Sequence, residues 1–235
     1  MTTISTSTRS QRIQSAYAST RLTESEQLVK SRLRVKTYGE VFTPRHMVNQ
    51  MLDLVRTDLE TGPQFVDKTF FEPAAGDGNF LVAILQRKLR AIKRRYQPEF
   101  WPTESLFALA SIYGVELLAD NHEAAKESLL AEFVRFHGRN GVNCGCRTNL
   151  RRAATYLLDA NILRGNTLTG LDATGELIEF SWWHRVLNVP GTVYREPFTL
   201  TSLRGANRGA FDFTIYATFE PCRIDHVHKE VRADV

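Results

Sequence analysis

Cysteine is scarce in this 235-residue chain, with only Cys144, Cys146 and Cys222 present. An odd number, with no secretory leader ahead of it, argues against a disulfide framework and for a reducing, cytoplasmic setting. Long apolar runs are missing as well, which excludes a membrane-spanning helix on sequence grounds. Cys144-Gly145-Cys146 is too tightly spaced for a common structural zinc pair, so even with Cys222, His226 and His228 the pattern predicts no metal. No internal repeat is present. The formal net charge of +4 is small; it permits attraction to nucleic acid without demanding it. With 43% hydrophobic residues, the chain has enough apolar material to fill one core near the upper size for a single domain.

The chemistry concentrates in Phe70-Phe71-Glu72-Pro73-Ala74-Ala75-Gly76-Asp77-Gly78-Asn79-Phe80. An apolar entry and an acid lead into a loop of small residues. The following run, Phe80, Leu81, Ala83, Ile84, Leu85 and Leu89, is apolar at helical spacing. Gly76 and Gly78 allow positive φ and a close approach of a ligand to the main chain. The N–H groups at the helix start favour an acidic group. The spelling is not G-x-G-x-x-G, because Leu81 stands where the third glycine would, and an ordinary strand-to-helix turn remains the alternative. Upstream, Thr43 suits an N-cap and Pro44 a first helical position, ahead of an amphipathic run through Met47, Val48, Met51, Leu52 and Val55. Downstream, Ser111 to Glu116 reads as a buried strand ending in a carboxylate, followed by a helix from about 120 to 136. An acid at the end of a second strand is placed to accept from ribose hydroxyls. Residues 160–168 supply a third strand end, with Asn166.

Taken in order, G-E-V-F-T-P (39–44), F-E-P-A-A-G-D-G-N-F (71–80), Y-G-V-E (113–116) and G-N-T-L (165–168) resemble the S-adenosylmethionine-dependent DNA adenine-N6 methyltransferases. The resemblance is strongest to modification subunits of restriction-modification systems and covers roughly residues 35 to 170. It implies a Rossmann-like class I methyltransferase domain. It also implies that Phe42 and Thr43 contact the methionine end of the cofactor. Glu72, Pro73, Ala74, Gly76, Asp77 and Gly78 would form the main loop, Glu116 would bind the ribose, and Asn166 would face the adenine edge. Each has a structural alternative: Phe42 as a helix staple, Glu116 as a solvated acid, Asn166 as a turn residue and Asp77 as a loop-shaping side chain.

The catalytic motif departs from that family. Its members carry Asn or Asp, two prolines and an aromatic after the fourth strand, to accept from the target amino group and stack on the flipped base. The counterpart here is Phe211-Asp212-Phe213-Thr214-Ile215-Tyr216-Ala217-Thr218-Phe219-Glu220-Pro221. If Phe211-Asp212 opens the strand, Ala217 takes the catalytic place and Thr218, Phe219 and Glu220 replace the Pro-Pro-aromatic run. Alanine accepts no hydrogen bond, so the catalytic residue is unknown. The short remainder after this strand predicts a sheet incomplete at its C-terminal side, with a partner subunit completing the pocket, a cofactor-binding remnant, or altered chemistry at Tyr216, Phe219 and Glu220.

Basic residues gather in three places. Residues 1–36 form a basic extension, read as disordered to about residue 10 and then helical; an Arg- and Ser-rich transit peptide is the minor reading. Residues 87–95 close the helix after the glycine loop. There the charges complement the helix dipole, with phosphate attraction as the other contribution, and they are read as solvated surface or a subunit contact rather than as reading DNA bases. Arg147, Arg151 and Arg152 form the third cluster. An aromatic insertion at about 172–209 contains Trp182 and Trp183, read as packing residues, a Pro190-Gly191 turn and alternating strand-like segments.

The expectation is therefore an α/β, Rossmann-like methyltransferase domain over 37–235, with a mostly parallel sheet flanked by helices, that binds S-adenosylmethionine and DNA. The alternatives are a catalytically inactive subunit of the same shape, binding cofactor, DNA or a partner chain, and methylation of RNA, protein or a small molecule.

Overall fold

The computed structural model describes residues 28–202 and 219–233. The chain divides into two compact units, Met1–Pro44 and Arg45–Val235. In the first, helix α1 (Arg32–Tyr38) is capped at both ends. The Ser31 hydroxyl accepts from the Arg34 N–H, and Gly39 at φ 68° returns its N–H to Val35. Arg34 pairs with Glu40 at 2.5 Å, and the Phe42 N–H donates to Leu28 O at 2.8 Å. The start of the basic extension, expected from sequence to be disordered, and the rest of residues 1–27 lie outside the described residues.

The second unit opens with α2 (Arg45–Leu54), whose amphipathic spacing buries Val48 and Leu52. Strand β1 (Phe70–Glu72) then leads into α3 (Asn79–Arg95). Helix α4 (Trp101–Ala110), which the sequence pattern does not announce, runs directly into β2 (Ile112–Glu116). Helices α5 (Ala119–Arg139) and α6 (Asn149–Asn161) carry the chain to β3 (Ile162–Asn166), and the short β4 (Leu171–Asp172) turns back along it. The sheet order is β1-β2-β3-β4, with the first three strands parallel and β4 antiparallel. The expected α/β architecture, a mostly parallel sheet flanked by helices, is borne out at this level.

The parallel strands step in one direction, from β1 to β2 to β3, and the helices between them share one core on one face of the sheet. β2 shows the consequence, since all five of its residues are buried. Ile112 joins the main core with Leu81, Leu85, Leu129, Phe133 and Leu157 on the helical side. Tyr113 and Val115 point the other way, into a second core with Ile178, Phe180 and Phe198. That second core is roofed by an antiparallel sheet, β5 (Glu179–Arg185), β6 (Thr192–Thr199) and β7 (Cys222–Arg223), in the order β5-β6-β7. The two tryptophans of the insertion pack. Trp182 stacks on Phe198 with centroids 4.4 Å apart, and Trp183 Nε1 donates to Asn161 Oδ1 at 2.9 Å.

Two polar side chains lie deep in the helical layer. Lys88, part of the basic run in sequence, turns inward and donates to Val66 O, Lys68 O and Ser111 Oγ at 2.9, 2.7 and 2.6 Å. Those three bonds use every proton of the ammonium group, while burial pushes its pKa down to about 7. His137 on α5 meets Ser105 Oγ on α4 at 2.9 Å, and burial lowers its pKa to about 4.

Two outcomes follow for stability. Phe180, 1% exposed and set edge-on against both Phe71 and Tyr113, anchors the second core. Phe180→Ala is expected to cost about 3–5 kcal/mol in urea unfolding, with the helical layer keeping its far-ultraviolet signature. The folded pKa of His137 is below that of the unfolded chain, so the unfolded state binds the extra proton between pH 6.5 and 4. Its contribution is present above pH 6.5 and lost as pH falls through 4. Wild type should lose roughly 3 kcal/mol more than His137→Gln over that interval, measured as paired urea titrations.

Candidate functional site

Glu72, Glu116 and Asn166 each end one of the three parallel strands, so the chain gathers them at one edge of the sheet. In open α/β sheets the loops at this carboxyl edge form the ligand crevice. Glu116 sits between the other two and faces the glycine loop. Its Oε2 accepts from the Gly76 N–H at 2.8 Å and its Oε1 from the Leu118 N–H at 2.9 Å. The Ala75 N–H donates to Val115 O at 2.9 Å, drawing the loop across the end of β2. From the far side, Thr167 Oγ1 donates to Pro73 O at 2.5 Å, so the loops after β1 and β3 are tied together over the strand between them.

Within the loop, Pro73 and Ala74 are exposed, Ala75 and Gly78 are buried, and Gly76 and Asp77 are half-buried, with one Asp77 carboxylate oxygen buried. Gly76 and Gly78 take φ 57° and 91°, a left-handed conformation that side chains disfavour. At Gly78 space is limiting as well, because a Cβ would stand 3.0 Å from the Cα of Ala125 on α5. The sequence therefore needs glycine there to let α5 close on the start of α3. Gly78 caps α3 without a side-chain hydrogen bond, and the helix's leading N–H groups emerge at this edge. Glu72 Oε1 accepts from the Ala74 N–H at 3.2 Å; burial raises its pKa, and that hydrogen bond opposes the rise.

Asn166 is committed to its own turn, its Oδ1 accepting from Leu168 N and Thr169 N at 2.9 and 3.4 Å. Phe42 and Thr43 belong to the first unit, whereas Glu72, Pro73, Ala74, Gly76, Asp77, Gly78, Glu116 and Asn166 share the second. Thr167 and Ala125 were not picked out from sequence. A hydroxyl directly after a strand-end Asn was the only available sign of the first, and nothing local marks the second.

Of the degenerate catalytic run, Ala217 and Thr218 lie outside the described residues. Phe219 forms a bridge with Arg232, and the Arg195 guanidinium stands 4.6 Å from its ring centroid. Arg195 also bonds Glu230 and Tyr156 Oη, so Phe219 is built into a cluster with β6 and α6. Glu220 is exposed, and its N–H donates to Val231 O at 3.1 Å. No hydrogen bond, ion pair or ring contact among the described residues joins Phe219 or Glu220 to the loop at 72–78, Glu116 or Asn166.

Among the described residues no group of three or more His, Cys, Asp or Glu side chains is placed to hold a metal ion. Among the same residues no helix is long and apolar enough to cross a membrane. No family model, curated protein or solved structure matches the chain.

Gly78→Ala tests how tightly the loop is built. Positive φ together with the approach of Ala125 is expected to cost about 1–3 kcal/mol in chemical unfolding, a loss that relaxation of α5 cannot fully recover.

Proposed function

We propose that the chain is a class I methyltransferase-like domain that binds S-adenosylmethionine and belongs to a DNA adenine-N6 modification system. The observation that carries this reading is the Glu116 carboxylate at the end of the central strand, aimed at the backbone of a glycine loop that opens onto a helix. The order of the four sequence motifs, from Gly39 to Leu168, adds the substrate class.

The residues present suit the cofactor's chemistry. A carboxylate accepts about four hydrogen bonds, and backbone N–H groups use two of those positions on Glu116. Ribose hydroxyls would take the others or displace one amide. The glycines at 76 and 78 leave the main chain bare, so a ligand approaches it within hydrogen-bonding distance. Asp77 and Glu72 would face the cationic methionine end. When bound, the cofactor supplies an electrophilic sulfonium methyl group. The protein's part is alignment of the accepting amino nitrogen and exclusion of water, since no covalent nucleophile is required.

A second reading is favoured by the engagement of Phe219 and Glu220 with the Arg195 and Val231 cluster: a subunit that binds cofactor but transfers no methyl group by itself.

Isothermal calorimetry with S-adenosylmethionine tests binding. Wild type should bind, Glu116→Gln should bind about 10- to 100-fold more weakly, and Gly76→Asp should not bind. Absence of heat in the wild-type chain at saturating cofactor overturns the proposal. Transfer of a radiolabelled methyl group to adenine-containing DNA then separates the enzyme from the inactive subunit.

A further inference from the structure

Three helices of the second unit turn polar stripes toward one another. On α3 the stripe is Gln86, Arg90 and Lys93 with Arg94, at the four- and three-residue steps of one helical face. α2 contributes Arg45, and the segment following it contributes Arg56. α5 brings Glu132, Arg135 and Arg139. Between the helices lie two adjoining cavities of about 390 and 570 Å³ that share Arg45, Gln86 and Arg90, so they read as one groove. Its floor is a hydrogen-bonded chain across all three helices. Arg45 donates to Gln86 Oε1, and Gln86 Nε2 donates to Glu132 Oε2 at 2.7 Å.

The charge balance of this groove is uneven. Eight cationic side chains and three carboxylates line the two cavities. The carboxylates are already engaged. Asp53 and Glu60 hold Arg87, Glu60 also takes Arg94, and Glu132 takes Arg135. No carboxylate pairs with Arg56, Arg90, Lys93 or Arg139 among the described residues, and all four are exposed. Their heads project from three separate segments into the same groove, which the dipole of one helix end does not explain.

We infer that this groove is a binding surface for the phosphate backbone of duplex DNA. Seven of its eight cations are arginines, whose planar fork matches phosphate oxygens. The first cavity has no apolar lining residue, and the second has only Leu89 and Phe136. A protein partner would call for an apolar centre, whereas DNA surfaces are polar and strongly cationic. Arg90 and Arg94 stand roughly 16–22 Å along α3 from its start at Asn79, by the helical rise. The groove therefore meets phosphates several base pairs away from a base presented at the glycine loop, and contributes affinity and register rather than sequence reading. The choice of duplex DNA rests on the methyltransferase reading; the preference for phosphate rests on the groove alone.

The test is fluorescence anisotropy of the full chain with a labelled 24-base-pair duplex between 50 and 200 mM salt. Arg90→Gln/Lys93→Gln/Arg139→Gln should weaken binding at least tenfold at 50 mM and reduce the slope of log K against log salt by about 2.7. Arg223→Gln, which removes an exposed arginine on β7 outside both the groove and the glycine loop, should bind DNA as wild type does. Unchanged affinity and slope in the triple variant overturn the inference, as does equal competition by polyglutamate at matched charge. Should the triple variant fail to fold, phenylglyoxal labelling of wild type replaces it. DNA should protect Arg56, Arg90 and Arg139, and protection confined to other arginines refutes the groove. Loss of cofactor binding with DNA binding intact would sink the proposed function and leave this surface standing; the reverse result would do the opposite.

Discussion

Burial of β2 on both faces is the constraint from which the rest of the second unit follows. Five residues, Ile112 to Glu116, divide two cores by simple alternation, since successive side chains of a strand leave on opposite faces. Ile112 fastens the helices and Tyr113 fastens the antiparallel roof, whose Ser181 O accepts from the Tyr113 hydroxyl at 2.8 Å. A one-residue slip of this strand would exchange the two cores. It would also swing the terminal carboxylate away from the glycine loop, so the packing of the strand and the aim of Glu116 are a single decision.

The carboxyl edge of the sheet is held together by polar contacts rather than by apolar packing. Glu116 gathers two backbone N–H groups, Thr167 ties the outer loops, and Asn166 closes its own turn. Such an edge is ordered yet exchangeable, because a ligand with hydroxyl groups offers the same carboxylate equivalent hydrogen bonds. The opposite end of the sheet is built for permanence. Asn161 donates to Ala110 O and Ile112 O at 3.0 and 3.2 Å and accepts from Trp183. Arg185 nearby makes paired bonds of 3.1 and 2.8 Å to Glu104 and lies over the Phe107 ring. Buried polar groups that are fully paired fix one arrangement, since any other would leave them unsatisfied.

Much of the second unit was legible from local pattern. The stripes that became α2, α3 and α5, the strand ending at Glu116, the third strand ending at Asn166 and the Pro190-Gly191 turn all have near-neighbour signatures of spacing or turn chemistry. Helix α4 was not legible. Seven of its ten residues are buried, so it lacks the polar face that marks a surface helix. β5 was read only as an aromatic cluster, because its residues are chosen for contacts with Phe198, Tyr113 and Asn161, all remote in sequence. The run from Arg87 to Arg95 looked uniform as a string. Lys88 turned out to be a core residue and Arg87 an anchor for Asp53 and Glu60, while Arg90, Lys93 and Arg94 stand exposed along the groove.

The sequence by itself determined that Gly76 and Gly78 sit in a turn between a strand and a helix, and that an acid ends the next strand, because these depend on backbone freedom and side-chain periodicity over a few residues. Only the tertiary structure decided that Glu116 reaches Gly76, that Thr167 spans to Pro73, that Ala125 crowds any side chain at Gly78, and that arginines from separate segments share one groove. Those facts depend on which elements become neighbours once burial of the two cores has been satisfied, and no local pattern carries that information.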